Sequence, residues 1–168
     1  MSTVTTSPAA TQIQAVAFAR GATKKLLEGI PADKMCVIPA GCSKHALWIA
    51  GHLASTDHWF VAEFGGGKSS LPEAWNKLFG MNSSATADAK TYPSPAEVLK
   101  ALDAGHAGVI KWLRSLTAEQ LEKPMPKEWQ AYAPTMADVG TFAAWHEGYH
   151  AGQLSAVRKG LGLPAAFG

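Results

Sequence analysis

The chain has 168 residues, the size of one ordinary domain, so the sequence predicts a single domain over residues 1–168. Hydrophobic residues make up 47% and charged residues only 17%, which is typical of a globular protein and argues against disorder. Fifteen Lys and Arg residues against thirteen Asp and Glu give a formal charge of +2, without the basic clusters that nucleic-acid backbones require. We therefore expect no nucleic-acid partner.

The cysteines and the amino terminus argue against secretion and against a membrane anchor. Cys36 and Cys42 lack the paired spacing of a structural zinc site, and a disulfide closing so small a loop would add little stability. The first eight residues lack the basic and apolar regions of a signal peptide, and no apolar run approaches the ~18 residues of a membrane span. We expect a soluble, cytoplasmic protein.

Apolar residues at helical spacing predict four long helices. The first lies between Pro8 and Gly29, and the second follows a cap at Ser43 and ends at Gly65. A third follows the helix-start signature Ser94-Pro-Ala-Glu97, and the fourth spans Thr135–Lys159. No segment alternates with the two-residue period of a strand. The predicted fold class is all-α, a four-helix bundle.

The predicted bundle has one long crossover loop, which joins helices two and three. Residues 65–93 are rich in Gly, Ser, Asn and Pro, and Pro72–Phe79 is predicted to form a short helix within them. A capping pattern at Thr117–Gln120 predicts a further helical turn after the third helix. Long ordered loops of this kind often carry function.

Three histidines have the arrangement of a metal site. His146 and His150 lie four residues apart, on one face of the fourth helix, and His52 lies among apolar residues of the second. Three neutral imidazoles inside a bundle can hold Zn²⁺, Ni²⁺ or Fe²⁺ and leave a coordination position open. Each could instead be a core histidine satisfied by hydrogen bonds, although burying all three that way is costly.

The segment His146-Glu-Gly-Tyr-His150 also matches the H-E-x-x-H pattern of zinc peptidases. The eighteen residues after His150 contain no His, Asp or Glu to act as the third ligand. Gln153 and Ala156 stand where the extended pattern requires Gly and His. A peptidase also needs a strand beside the site to hold its substrate, and none is predicted. The sequence therefore disfavours a peptidase.

Glu147 and His45 are the candidate catalytic residues outside this triad. Glu147 follows His146 but points about 100° away from it on a helix, so it can orient a histidine or pair with another helix. It could act as a general base only in an exposed, flexible pocket. His45 lies two helical turns before His52 on the same face, which places it at the mouth of a pocket or in the helix cap.

Aromatic residues near the histidines predict a pocket beside the metal site. Trp48 and Trp59 lie within a turn or two of His52, and Tyr149 is adjacent to His150. The long 65–93 loop is predicted to cover this pocket.

The segments Pro39–Ala54 and Trp145–Ser155, with the ending Gly160–Pro164, resemble the DinB-like superfamily. These are metal-binding helical bundles related to YfiT-type hydrolases and to thiol-dependent transferases. Carried over residue by residue, the resemblance implies metal ligands at His52, His146 and His150. It also implies an up-down-down-up helix order, a homodimer, and nickel or zinc as the metal, with no particular substrate.

On this resemblance we expect a metal-dependent enzyme that activates water or a low-molecular-weight thiol for hydrolysis or group transfer on a small molecule. The choice between water and thiol stays open, because the only arginines, Arg20, Arg114 and Arg158, are dispersed over three helices. One alternative is a non-enzymatic metal-binding or stress-related bundle protein. Another is a structural bundle without a metal.

Overall fold

The computed structural model describes residues 7–167, which form an all-α structure, as predicted. The α-helices are α1 (Ala10–Leu27), α2 (Ala46–Gly65), α3 (Ala74–Phe79), α4 (Pro95–Ser115), α5 (Ala118–Leu121) and α6 (Met136–Gly160). Over residues 7–167 the only β-type pairing is an isolated bridge between Pro124 and Thr135. In the same range, no helix is both long enough and apolar enough to cross a membrane.

The long helices α1, α2, α4 and α6 occupy the four segments with helical periodicity. α2 packs along α4, and α1 packs along α6; further contacts join α1 to α4 and α2 to α6. The short helices α3 and α5 lie where the sequence predicted helical turns within the connections. The up-down-down-up order stays a prediction.

Side chains cap the starts of α4 and α5 at the predicted residues, where Ser94 and Thr117 form capping boxes. At the start of α6, the amide and the hydroxyl of Thr135 both donate to the Asp138 carboxylate, at 2.9 and 2.7 Å. The cap of α2 differs from the prediction at Ser43. It is His45, whose Nδ1 accepts a hydrogen bond from the Trp48 amide at 3.0 Å. The acceptor at this cap is therefore an imidazole nitrogen, whereas helix caps usually use a side-chain oxygen.

The interior holds two hydrophobic clusters, and each takes residues from all four long helices. One cluster contains Leu26, Leu53, Leu102 and Leu154. The other contains Val16, Phe60, Val109 and Val139. On each long helix, the residues of one cluster and the residues of the other occupy different stretches. A short segment of the helix lies between the two stretches.

Arg20 lies in that intervening segment and connects the four long helices. It is only 2% exposed. Its Nε and Nη2 donate to the two carboxylate oxygens of Glu147 on α6, at 2.6 and 2.8 Å. Nη2 also donates to Asp57 on α2 at 2.7 Å, and Nη1 to the Leu102 carbonyl on α4 at 2.7 Å. A guanidinium suits this position because its planar donors reach several acceptors at once.

Burial affects the charges of this network. Burial alone lowers the pKa of Arg20, but the charges and hydrogen bonds of Asp57 and Glu147 outweigh it and raise the pKa above its ordinary value. Burial raises the pKa of Asp57, although the neighbouring guanidinium opposes the shift. The guanidinium therefore stays charged and, among residues 7–167, is the only cation paired with these two carboxyl groups.

Arg20→Met is expected to destabilise the fold strongly, because two buried carboxyl groups lose their cation and hydrogen-bond donors. The expected loss in free energy of unfolding is about 3–5 kcal/mol, measured by urea unfolding. Arg114→Met is the matched control, since Arg114 is exposed on α4, and it should stay within about 0.5 kcal/mol of the wild type. Equal stability of the two variants would contradict the structural role of Arg20.

Candidate metal centre

The structure brings together the three histidines that the sequence grouped as metal ligands. His52 comes from α2, and His146 and His150 come from consecutive turns of α6. The Nε2 atom of His146 lies 3.2 Å from Nε2 of His52 and 3.2 Å from Nε2 of His150. One ligand nitrogen from each ring lies within 4.8 Å of the others, so the cluster can hold a metal ion.

Hydrogen bonds behind the rings determine where two of the protons are. Nδ1 of His52 lies 2.6 Å from the Phe79 carbonyl oxygen, and Nδ1 of His150 lies 2.9 Å from Oε1 of Gln153. Both oxygens only accept hydrogen bonds, so each Nδ1 carries the proton and each Nε2 presents a lone pair. Metal-binding histidines commonly have this second hydrogen bond.

These tautomers leave the cluster short of hydrogen-bond donors. The Nε2 lone pairs of His52 and His150 both face Nε2 of His146, which carries at most one hydrogen. His146 can therefore donate to one of its two neighbours but not to both. At least one of the two 3.2 Å nitrogen contacts therefore has no hydrogen to share, an arrangement that a shared cation would stabilise.

Burial keeps all three imidazoles neutral. It lowers the pKa of His52 and, together with the charges of the neighbouring histidines, lowers the pKa of His146 to about 3 and that of His150 to about 4. Neutral imidazole is the form that binds metals. The cluster is therefore in its ligating form near neutral pH.

The donor set and its spacing fit a divalent transition metal. Two nitrogens that each lie about 2.0–2.1 Å from one ion are separated by about 2.8–3.4 Å at right-angled to tetrahedral geometry. The two nitrogen separations of 3.2 Å fall in that range. Among residues 7–167 the group contains three His, Cys, Asp or Glu members and no fourth. Three protein ligands with a further position free are typical of catalytic sites, whereas structural sites have four.

Aromatic rings hold the imidazoles in place. Trp48 stacks on His52, with ring centroids 4.9 Å apart and planes inclined by 7°. Phe142 stacks on His146 at 6.1 Å, and Tyr149 meets His150 edge-on at 5.1 Å. These contacts restrict ring rotation, so the Nε2 atoms stay directed at one another.

A cavity of about 600 Å³ adjoins the cluster and has His52 and His146 in its wall. Its aromatic lining consists of Trp59, Phe60, Phe79, Trp129, Tyr132, Phe142 and Trp145. The pocket predicted beside the histidines is therefore present, with Trp59 in its wall. Trp48 and Tyr149 pack on the histidines and are not part of the lining.

The connection between α2 and α4 forms part of the cavity wall. Asn76, Gly80 and Met81 line it, and the carbonyl of Phe79 holds His52. Phe79 approaches α2 closely at Gly51, where a Cβ atom would overlap its ring. The predicted position of this loop over the pocket agrees with these contacts.

Glu147 and His45 lie apart from the cluster. The carboxylate of Glu147 is 3% exposed and pairs with Arg20, which realises the predicted pairing with another helix. His45 is fully buried; Nδ1 caps α2, and Nε2 lies 3.0 Å from the Thr86 carbonyl oxygen. Neither residue lines the cavity.

The sequence did not point to two parts of the cavity wall. Trp129 and Tyr132 belong to the connection between α5 and α6, which has no periodicity from which to infer their direction. Phe142 had a usable signal, because it lies four residues before His146 and so shares its helix face, whereas Trp145 directly precedes His146 and points about 100° away from it.

Fold and site together define an all-α protein with a three-histidine cluster that can hold a metal ion. The chain belongs to the DinB superfamily, whose sequence model matches residues 15–154. That match includes all three histidines and the Arg20 network. A solved structure of a conserved protein from Enterococcus faecalis is similar to this chain, with a TM-score of 0.71 and 18% identity. The similarity covers 89% of this chain and 94% of that one, and at this identity it shows the fold alone. No curated protein matches the chain.

The depressed histidine pKa values predict how the stability of the metal-free protein depends on pH. Unfolded histidines titrate near pH 6.5, whereas His146 and His150 in the folded chain titrate near 3 and 4. Below about pH 6.5 the unfolded chain binds protons that the folded chain does not, so the free energy of unfolding falls towards about pH 4.

The test is urea unfolding of chelator-treated protein at about pH 7.5 and about pH 5. Each of the two histidines should contribute a loss of up to about 2 kcal/mol at the lower pH. The double variant His146→Gln, His150→Gln removes both titrating groups, so its stability should change less with pH. An equal pH dependence in wild type and double variant would contradict the burial of these rings in neutral form.

Proposed function

We propose that the protein is a metal-dependent enzyme that uses His52, His146 and His150 to hold a divalent transition metal. One observation carries this proposal: the Nε2 atoms of the three histidines converge, and at most one of these atoms carries a hydrogen. Nitrogen donors of this kind suit nickel or zinc, with iron as a third option. When bound, such an ion lowers the pKa of a water or thiol ligand and so supplies a nucleophile near neutral pH.

The chain's own residues would hold and orient the site. The Phe79 carbonyl and Gln153 keep the protons of His52 and His150 on Nδ1, which frees Nε2 to bind the metal. Arg20 holds α6 to α2 through Glu147 and Asp57, and thereby maintains the separation of the helices that carry the ligands. The aromatic walls of the cavity place apolar surface beside the side of the cluster that faces it.

A reaction on a small molecule is favoured because the ligand histidines adjoin a cavity of about 600 Å³. We propose hydrolysis or group transfer, with water or a low-molecular-weight thiol as the nucleophile. The alternative is a non-enzymatic metal-binding protein. In that case the same three histidines would bind the metal in order to sense it. The two differ in turnover, since an enzyme must exchange substrate at the open coordination position.

We also propose that the protein forms a homodimer, as the resemblance to DinB-like proteins implies. The exposed aromatic residues Trp145 and Tyr149 on α6, 60% and 56% accessible, are consistent with an interface on this helix. Light scattering after size-exclusion chromatography measures the mass directly, and a monomer across the accessible concentration range would contradict the proposal.

Removal of any one ligand should weaken metal binding by at least about tenfold. His52→Ala, His146→Ala and His150→Ala are compared with His58→Ala, which lies on α2 but outside the cluster. Metal content is measured by elemental analysis after dialysis against zinc or nickel, and thermal unfolding with and without added ion gives a second measure. Undiminished metal content in all three ligand variants would overturn the site.

Turnover separates the enzyme from the binding protein. The metal-loaded wild type is expected to cleave at least one of a panel of aryl esters and amides, or to transfer an added thiol to an electrophilic aryl substrate. His146→Ala should lose that activity, and His58→Ala should retain it. Metal binding without turnover of any panel member would favour the non-enzymatic alternative.

A further inference from the structure

The lining of the cavity identifies the chemistry of the molecule that enters it. Seven of its fourteen lining residues are aromatic, and no Asp, Glu, Lys or Arg is among them. The two lining histidines, His52 and His146, belong to the metal cluster. The wall therefore offers apolar surface and ring faces, with no fixed charge to pair with an ionic group.

The aromatic surface is continuous from the interior of the cavity to the histidines. Trp59 and Trp129 lie 5.0 Å apart by their ring centroids, and Tyr132 contacts Phe142 at 5.7 Å. Phe142 in turn stacks on His146. A molecule lying on this surface thus has one end against the aromatic rings and the other beside the metal-binding nitrogens.

The charged groups of this region are already engaged in contacts outside the lining. Lys44 places its ammonium over the Trp48 ring at 3.8 Å and donates to the Ser83 carbonyl. Arg20, Asp57 and Glu147 are paired with one another in the interior. Apart from a metal held by the histidines, the wall has no cationic group, so an anionic group on the body of the molecule would lose its hydration without gaining a partner, and an ammonium ion would lack a carboxylate.

We infer that the cavity is a substrate site for a molecule with an uncharged aromatic or bulky aliphatic body, whose reacting group is presented to His52 and His146. This inference rests on the proposed function, because it gives the substrate class of the same site. A volume of about 600 Å³ is within the usual range for small-molecule sites and holds a bicyclic body. The same lining disfavours a thiol cofactor with several charged groups and favours water as the nucleophile.

The test uses three naphthalene probes that differ in charge: 2-naphthalenemethanol, 2-naphthoate and 2-naphthylmethylammonium. Binding is measured calorimetrically with chelator-treated protein, so that no metal can attract the carboxylate. The alcohol is expected to bind at least about tenfold more tightly than either ion. Equal or tighter binding of an ion, or no binding of the alcohol, would overturn the inference.

Cavity variants show whether the probe occupies this site. Thr56→Trp fills the cavity from α2 and should reduce binding of the alcohol at least about tenfold, whereas Thr141→Trp, at an exposed position of α6, should leave binding unchanged. Circular dichroism checks that both variants fold. Trp59→Ala provides a second measure, because it removes one aromatic ring from the cavity wall without filling the cavity. It should also weaken binding of the alcohol. Unchanged binding in folded Thr56→Trp and in Trp59→Ala would overturn the inference.

Metal content, measured on the same proteins after loading with zinc or nickel and before chelator treatment, keeps the two proposals separate. Thr56→Trp should retain the metal content of the wild type, since Thr56 is not a ligand. If the wild type binds no metal but binds the alcohol tightly, the proposed function is overturned and the cavity remains an apolar binding site. Normal metal content with no preference for the alcohol would overturn the substrate class alone.

Discussion

The rest of the structure depends on one buried interaction, the set of hydrogen bonds made by Arg20. Two apolar clusters, each built from all four long helices, would leave the helices free to slide along one another, because apolar contacts have little directionality. Arg20 removes that freedom through bonds of 2.6 to 2.8 Å to α2, α4 and α6. Glu147 lies between the ligands His146 and His150 in the chain, so the network also fixes the rotation of α6 about its axis.

This placement gives Glu147 a different importance from the one its sequence position suggests. In an H-E-x-x-H segment the glutamate would be a general base of a peptidase, but here it points about 100° away from His146 around the helix axis and is bonded to Arg20. His146 and His150 of α6 belong to the cluster that can hold a metal ion, whereas Glu147 attaches the same helix to Arg20 of α1. The two functions lie on one helix because residues at neighbouring positions point about 100° apart.

The sequence predicted the helices and the triad because both follow from local periodicity. His146 and His150 lie one turn apart, and His52 lies on a helix that is apolar enough to be buried. Packing of these helices in a bundle therefore directs all three side chains inward. Contacts between distant segments could not be predicted. The bond between Arg20 and Glu147 joins residues 127 positions apart, and the Trp129 and Tyr132 side of the cavity depends on how an irregular connection folds back. The cap of α2 was missed because a histidine took the place of the usual hydroxyl.

The chemistry of the cluster ultimately depends on how the long connection docks on α2. The carbonyl of Phe79 assigns the His52 proton to Nδ1, and Phe79 reaches that position only because residue 51 has no side chain. Gly51 and His52 are adjacent in the chain, so one admits the loop and the other receives its carbonyl. The same docking places Gly80 and Met81 in the cavity wall. The His52 tautomer and the cavity shape are thus coupled through one segment, so under the proposed function a change in this loop would alter both the affinity for the metal and the selection of the substrate.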